Sequence, residues 1–327
     1  MNLAIKVALL FAVLALTGCG AIIRNEAAKT EARAEERYPP IGQFVEVEGV
    51  RVHYVIEGSG PDVVLIHGAS GNVRDFTFEF VDRIKDRYRV IVMDRPGMGW
   101  TDRLPGFGGP FATEAETVAQ QARLLQQAAA KLGAERPIVV GHSFGGTVAL
   151  AWALERPDNI AALVPLSAPS NPWEGGLGVF YDIPSSSLGG GLVVPVVTAL
   201  ANEERLDIAA NVVFYPQEAP EGYADYVGAG LAARRETLRA NARQVSQLKP
   251  QIIAMTQLYD RIDVPTEILH GTADETVPID IHSDILLTQI PGARLMRLAG
   301  IGHMPHHVAA DEVEAAIDRA ASRARLR

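Results

Sequence analysis

The sequence predicts an α/β fold: a mostly parallel central sheet covered by helices on both faces, with a mainly helical cap insertion. Three observations carry this. Short apolar, β-branched runs alternate with helix-compatible stretches from Gln43 to the C-terminal region, the pattern of a parallel sheet buried on both sides. The alternation breaks once, at about residues 168–263, where proline and glycine crowd first and helical spacing follows. Apolar residues make up 48% of the 327 and charged residues 21%, a balance that suits one sizeable core with an insertion.

The elements follow in order. Residues 44–58 read as two strands with apolar side chains at alternate positions, turning at Glu48-Gly49 and giving an antiparallel start. Residues 62–66 and 89–93 are short apolar runs, predicted as buried strands, the second ending at Asp94. Spacing predicts a helix over 111–132, stopped by Gly133. Residues 138–140 predict a strand and 147–154 a helix close behind it. Three more strands are predicted at 161–166, 266–269 and 293–298, and a closing helix at 311–325. Within the insertion, residues 200–262 read as mainly helical. An insertion there sits above the carboxyl ends of the strands, where ligands bind in such sheets. It is read as a lid or cap, its apolar residues facing a substrate or packing as insertion core.

The ends and the charge narrow the setting. A net charge of −9 with no basic cluster excludes a nucleic-acid footprint. The single cysteine, Cys19, excludes an internal disulfide and any cysteine-rich metal site. Residues 1–18 carry Lys6, an apolar run over 7–16 and then small residues, the build of a secretory signal peptide. Leu16-Thr17-Gly18-Cys19 resembles the lipobox of bacterial lipoproteins, which implies cleavage before Cys19 and acylation of that residue. The alternative is an uncleaved signal anchor, since residues 7–23 hold no charge and reach the lower length limit for a span. Either places the globular part on the extracytoplasmic side of a bacterial cell envelope, anchored to the membrane. Residues 19–40 read as a membrane tether or loosely held helix, closed by Tyr38-Pro39-Pro40. Residues 41–327 form the domain that carries the insertion.

Chemistry concentrates at Gly141-His142-Ser143-Phe144-Gly145, a G-x-S-x-G turn between a predicted strand and a predicted helix. Such a junction lifts a serine Oγ clear of the backbone in a strained conformation. The helix N-terminus behind it favours negative charge developing there. Ser143 is the candidate nucleophile, with an ordinary turn serine as the alternative. A serine hydroxyl needs a base and an orienter for that base. Asp274 follows one late strand and His303 the next, and loops after parallel strands emerge at the same edge. Glu275 competes with Asp274, and His306 and His307 compete with His303 or suggest a zinc site. The Gly300-Ile301-Gly302-His303 context selects His303, and Pro305 breaks the spacing a metal pair on a helix needs. His67, His142 and His270 read as structural hydrogen-bonding groups. Neither a cofactor nor a metal is expected.

From about Gln43 to Arg325 the chain resembles the α/β-hydrolase superfamily, as a serine hydrolase with a cap. The matching motifs are HGASG at 67–71, GHSFG at 141–145, HGTAD at 270–274 and GIGHMP at 300–305, in the order Ser, Asp, His known for this fold. The resemblance implies Ser143 as nucleophile, His303 as general base and then acid, and Asp274 as its orienter. It implies an oxyanion hole from the backbone N–H groups of Ala69 and Phe144. Asp94-Arg95-Pro96-Gly97-Met98-Gly99-Trp100 resembles the family's DRPGxG loop, expected to organise the rim of the site without taking part in chemistry. Epoxide hydrolases and haloalkane dehalogenases of this fold would carry a carboxylate at position 143. Serine instead implies an acyl-enzyme, and the expected activity is cleavage of a small-molecule carboxylic ester by a carboxylesterase or lipase-like enzyme. A carbon–carbon bond hydrolase and a cofactor-free perhydrolase would use the same triad; an intact triad argues against a non-catalytic binding module. Trp173, Phe180, Tyr181, Phe214, Tyr215, Tyr223 and Tyr226 either line an acyl pocket or pack the cap.

Overall fold

Eight short strands build the sheet. In this computed structural model the backbone is described over residues 3–326 and side chains over 19–326; the expected signal peptide, residues 1–18, therefore lies outside the residues described in full. β1 (Gln43–Val47) and β2 (Val50–Gly58) pair antiparallel around Glu48-Gly49, both at positive φ. β2 pairs antiparallel with β4 (Arg89–Met93). From there β3 (Asp62–Ile66), β5 (Ile138–His142), β6 (Ala162–Leu166), β7 (Glu267–Gly271) and β8 (Arg294–Leu298) are all parallel. The order across the sheet is β1-β2-β4-β3-β5-β6-β7-β8, the mostly parallel architecture the sequence predicts.

Strand alternation sorts the core into two layers. Val64, Ile66, Ile91, Met93 and Val139 pack with residues of the helices Val118–Lys131 and Phe144–Glu155. Val63, Leu65, Val90, Val92 and Val140 pack on the other face, with residues of Phe80–Ile84 and Ala310–Arg323. Full burial of each such side chain is worth about 1.5–3 kcal/mol. The helix Phe144–Glu155 is buried through most of its length, and Trp152 is completely enclosed with its indole N–H donating to Asn159 O at 3.1 Å. One boundary differs from expectation. The helix predicted over 111–132 begins only at Val118, because Thr117 is its N-cap and forms a reciprocal capping box with Gln120. Glu116, just outside, turns inward to the Arg103 guanidinium at 2.7 Å.

The insertion is helical, and it has an inner and an outer part. From the helices Arg235–Ser246 and Leu248–Thr256, Val245, Leu248, Ile252 and Met255 join the main core. The outer helices Val179–Ser185, Val194–Leu200 and Glu203–Val212 present many apolar side chains to solvent.

The N-terminal helix Leu3–Arg37 lies against this outer part, packed on Val194–Leu200. Ala27 and Ala34 are its buried contacts. The Arg235 guanidinium donates to both oxygens of Glu31, at 2.8 and 2.6 Å, and Arg234 reaches Glu35. Arg37 pairs with Glu203 and Asp225. The segment ahead of Tyr38 is thus a helix clamped to the cap rather than a loose one. Among the described residues no single helix is long and apolar enough to cross a membrane.

Candidate active site

β5 ends at His142 and the next helix starts at Phe144, so Ser143 alone makes the turn, at φ 52° and ψ −123°. A non-glycine residue there carries roughly 1–3 kcal/mol of strain. The surroundings impose it: Ser143 N–H donates to Leu166 O at 2.9 Å and Gly146 N–H to Ser143 O at 2.8 Å. The flanking glycines are steric necessities. A Cβ on Gly141 would lie 2.2 Å from Gly145 O, and one on Gly145 would lie 2.2 Å from Ile66 O.

The loops after β7 and β8 bring the other two predicted residues to this turn. His303 Nε2 is 2.9 Å from Ser143 Oγ, and His303 Nδ1 is 2.7 Å from Asp274 Oδ2. All three residues are buried. Burial opposes ionisation of Asp274, but hydrogen bonds from His270 and His303 outweigh it and hold the carboxyl well below its ordinary pKa. Its other oxygen accepts the Thr276 and Val277 N–H groups at 2.9 and 2.8 Å. Asp274 is therefore a fixed anion. Glu275 is exposed and takes no part.

The segment that holds one predicted oxyanion donor runs close to the elbow. Gly68 lies so close that a Cβ on it would be 3.1 Å from Ser143 Cβ, which sets the segment His67-Gly68-Ala69 beside the nucleophile. Phe144 opens its helix, so its N–H has no intrahelical acceptor. Arg95 holds the two parts together. Its Nε donates to His67 O at 3.1 Å, its Nη2 to Gly68 O at 2.9 Å, and its guanidinium carbon lies 4.3 Å from the centre of the Phe144 ring. Burial lowers the Arg95 pKa to about 9, with Glu116 and Asp94 acting against that fall, so it stays charged at neutral pH. Asp94 fixes the rest of its loop, accepting from Val73 N–H and Trp100 N–H and meeting His53 Nδ1 at 2.7 Å. These contacts tie the buried loop to His53, His67, Gly68 and Val73.

The remaining histidines are structural, and one buried aspartate joins them. His67 donates through Nδ1 to Gly68 O and accepts from Arg95 N–H; burial, then Arg95, lower its pKa to about 4. His142 donates through Nε2 to His303 O at 2.8 Å, and burial pushes its pKa well down. His270 binds Ser283 Oγ and Val277 O. His306 and His307 meet Asp75, which also accepts from the cap residue Tyr223 at 2.9 Å. Burial disfavours the Asp75 anion, yet His306 and His307 hold its pKa well below the ordinary value. Sequence reasoning missed Asp75, Gln244 and Asn241. Gln244 takes Arg95 Nη1 at 2.9 Å, and Asn241 Oδ1 accepts Ser70 N–H at 2.8 Å. No local pattern marks any of the three.

The ligand-capable atoms of Asp75, His142 and His306 lie within 4.8 Å of one another, the one such group among the described residues. Asp75 already accepts from His306, His307 and Tyr223, while the buried Nδ1 atoms of His142, His306 and His307 have no hydrogen-bond partner. The seven cap aromatics do not form one pocket. Phe214 and Tyr223 are buried around His307, Tyr226 bonds Thr77, Trp173 packs on His282, Tyr181 packs against the main core, and Phe180 and Tyr215 face solvent.

A model of the family described as alpha/beta hydrolase fold matches residues 61–310. An uncharacterized protein of Mycobacterium tuberculosis is 30% identical over 286 residues, covering 82% of this chain and 77% of its own. Haloalkane dehalogenase 2 of the same organism is 25% identical over 297 residues, covering 86% and 94%. Among solved structures, a membrane phospholipase A described as a bacterial virulence factor aligns with a TM-score of 0.66 at 20% identity, over 96% of this chain and 99% of its own. An esterase from Exiguobacterium antarcticum aligns with a TM-score of 0.68 at 19% identity, over 86% and 99%. At such identities the structures establish a shared fold.

Proposed function

The chain belongs to the alpha/beta hydrolase fold family, and from that premise we propose that it cleaves a carboxylic ester through an acyl-enzyme on Ser143. The observation that carries this reading is the unbroken line from Ser143 Oγ to His303 Nε2 at 2.9 Å and from His303 Nδ1 to Asp274 Oδ2 at 2.7 Å. Ser143 Oγ attacks the ester carbonyl while its proton passes to His303 Nε2. The Asp274 anion holds the ring tautomer and stabilises the imidazolium. Negative charge on the former carbonyl oxygen is met by the N–H groups of Ala69 and Phe144. Collapse expels the alcohol, protonated by His303, and leaves the acyl group on Ser143. Water, deprotonated by His303, then releases the acid and restores the serine.

The identity of residue 143 favours this over dehalogenation. Attack by a serine oxygen on an alkyl halide would leave an ether, which has no carbonyl for water to attack. Turnover of p-nitrophenyl esters across acyl lengths, compared with Ser143→Ala, tests the reading. Activity lost in the variant supports it; wild type no better than Ser143→Ala at every length overturns it. Labelling of Ser143 by a fluorophosphonate reports the nucleophile independently of the test ester.

The reading extends to the N-terminus. Residues 1–18 act as the signal, Cys19 is the acylated first residue, and the globular part sits on the extracytoplasmic side of a bacterial envelope. An exposed Cys19 near the upstream end of the described side chains of the cap-docked helix supports this. Mass spectrometry of the mature chain decides it: an acylated Cys19 is expected, and an intact Met1 would instead mean an uncleaved anchor.

A further inference from the structure

The outer cap presents an apolar surface that the fold does not cover. Phe180, Leu188, Leu192 and Leu200 are 67%, 70%, 61% and 60% exposed. Their arrangement is regular. Along 189–200, Leu192, Val193, Val197 and Leu200 are exposed, whereas Val194, Pro195 and Thr198 are turned inward and buried. From Ile183 to Asn202 there is no charged residue, and Asp182 is the one charge between Gly175 and Asn202. A contiguous exposed apolar surface of this kind marks a docking face.

We propose that this face lies on a lipid bilayer, as a second membrane contact beside the N-terminal helix. The proposal rests on the membrane-anchored ester-hydrolase reading above. Two observations select a bilayer as the occupant. The first is continuity: the helix Leu3–Arg37 packs along Val194–Leu200, and its upstream part carries Cys19, the acylated residue of the reading above. Cys19 lies eight residues, about 12 Å of helix, before the buried Ala27, so the surface that receives the anchor runs past the cap face. The second is shape. Val179–Ser185 and Gly189–Leu200 meet at 92°, and the longer arm covers about 18 Å against a hydrocarbon core of about 30 Å. Neither arm alone is long enough to span, and the right-angle bend between them suits a segment lying in the interface.

The location gives the contact a consequence for substrate. Val179–Ser185 packs on the helix Arg235–Ser246. That helix in turn holds the oxyanion loop, through Asn241 to Ser70 N–H and through Gln244 to Arg95. The membrane face is one helix layer from the site, so the ester class it serves is the lipid-like acyl ester held in or released from the bilayer.

The test uses the full chain on vesicles of phosphatidylcholine and phosphatidylglycerol. In Leu192→Cys, labelled with an environment-sensitive fluorophore, doxyl-labelled phosphatidylcholine is expected to quench the emission; wild type carried through the same labelling is the background control. The variant Leu192→Glu/Val197→Glu is expected to keep soluble p-nitrophenyl acetate turnover within about twofold and to lose about tenfold on a vesicle-embedded long-chain ester. A probe at 192 that stays unquenched while the protein is vesicle-bound overturns the proposal. So does a concentration-dependent dimer that the two glutamates abolish, which would give the face to a second copy. An equal fall on both esters overturns it as well. If no ester is turned over at all, the ester reading fails, and the fluorophore still decides the membrane contact.

Discussion

Arg95→Met removes the guanidinium while keeping an unbranched apolar side chain under Phe144. Four acceptors lose a donor: His67 O, Gly68 O, and the side-chain oxygens of Gln121 and Gln244. The two glutamines keep other bonds, Gln121 to Glu116 O and Gln244 to Pro96 O. The two carbonyls belong to the peptide run that leads into the Ala69 N–H and are fixed against Ser143. Leaving a buried acceptor unpaired costs about 1–3 kcal/mol; that cost falls on His67 O, since Gly68 O keeps the His67 Nδ1 donor. Relief from burying a cation, visible in the fall of the Arg95 pKa to about 9, offsets part of that cost. The expected net loss of stability is below about 3 kcal/mol. Activity falls for a separate reason. Losing an oxyanion donor outright costs about 3–4 kcal/mol, and a tilted donor about half as much, so kcat drops ~10–30-fold. KM hardly moves, because Arg95 bonds to loops and not to the triad. Arg95→Lys, a point charge able to serve one carbonyl at a time, falls between. Steady-state hydrolysis of p-nitrophenyl acetate beside urea unfolding measures both effects. A folded Arg95→Met with kcat within about twofold of wild type, or with the whole loss in KM, refutes the reasoning.

Other expectations follow from the same contacts. Asp274→Asn leaves the ring without its anionic partner and should lower kcat by about 10⁴ with little change in KM, read by steady-state kinetics. Asp75→Asn sets an amide N–H₂ against donors from His306, His307 and Tyr223 and should cost about 2–4 kcal/mol in urea unfolding, with Tyr223→Phe costing only about 1. Stability should decline as pH falls from 6.5 to about 4. His67 has an ordinary value of 6.5 and a folded pKa of about 4, so the unfolded chain takes the proton first. The pH-dependent loss has a ceiling of about 3 kcal/mol from this group and is complete below its folded pKa. His282 shifts in the same direction. Urea midpoints at pH 7 and pH 4.5 check the slope, and the Asp274 contribution, from a depressed carboxyl, should persist to more acid pH.

The parts of the site that are legible in the sequence are those written locally. Ser143, Asp274 and His303 each sit in a short loop directly after an apolar strand, and parallel pairing of those strands fixes the edge where they emerge. The structure places all three within hydrogen-bond reach. Asp75 could not be read this way. Its partners His306 and His307 lie 231 and 232 residues further along the chain, and a lone aspartate within Asn72-Val73-Arg74-Asp75-Phe76 has no periodic or motif signature. The boundary at Val118 was hidden for another reason: spacing continued through residues 111–117, but the Thr117 capping box ended the helix there. The clamp of Glu31 on Arg235 joins charges 204 residues apart, and polar composition alone reads the same for a tether and for a docked helix.

Asp75 and Arg95 together explain how the cap and the catalytic groups depend on one another. Each is buried, and each bonds both to the cap and to a catalytic loop. Arg95 joins Gln244 to the carbonyls of the oxyanion loop, and Asn241 reinforces the same loop at Ser70. Asp75 joins Tyr223 to His306 and His307, which follow His303 within four residues. Lifting the cap would strip a partner from both, leaving a buried cation on one side and a buried anion on the other. Such groups are costly to leave unpaired, so the cap position that satisfies them is also the one that holds the oxyanion loop and the histidine loop in register with Ser143. An apolar cap seam alone would permit sliding with little penalty. Directional bonds from two buried charges do not. In this chain the cap is therefore part of what holds the loops of Ser70 and His303 in register with Ser143.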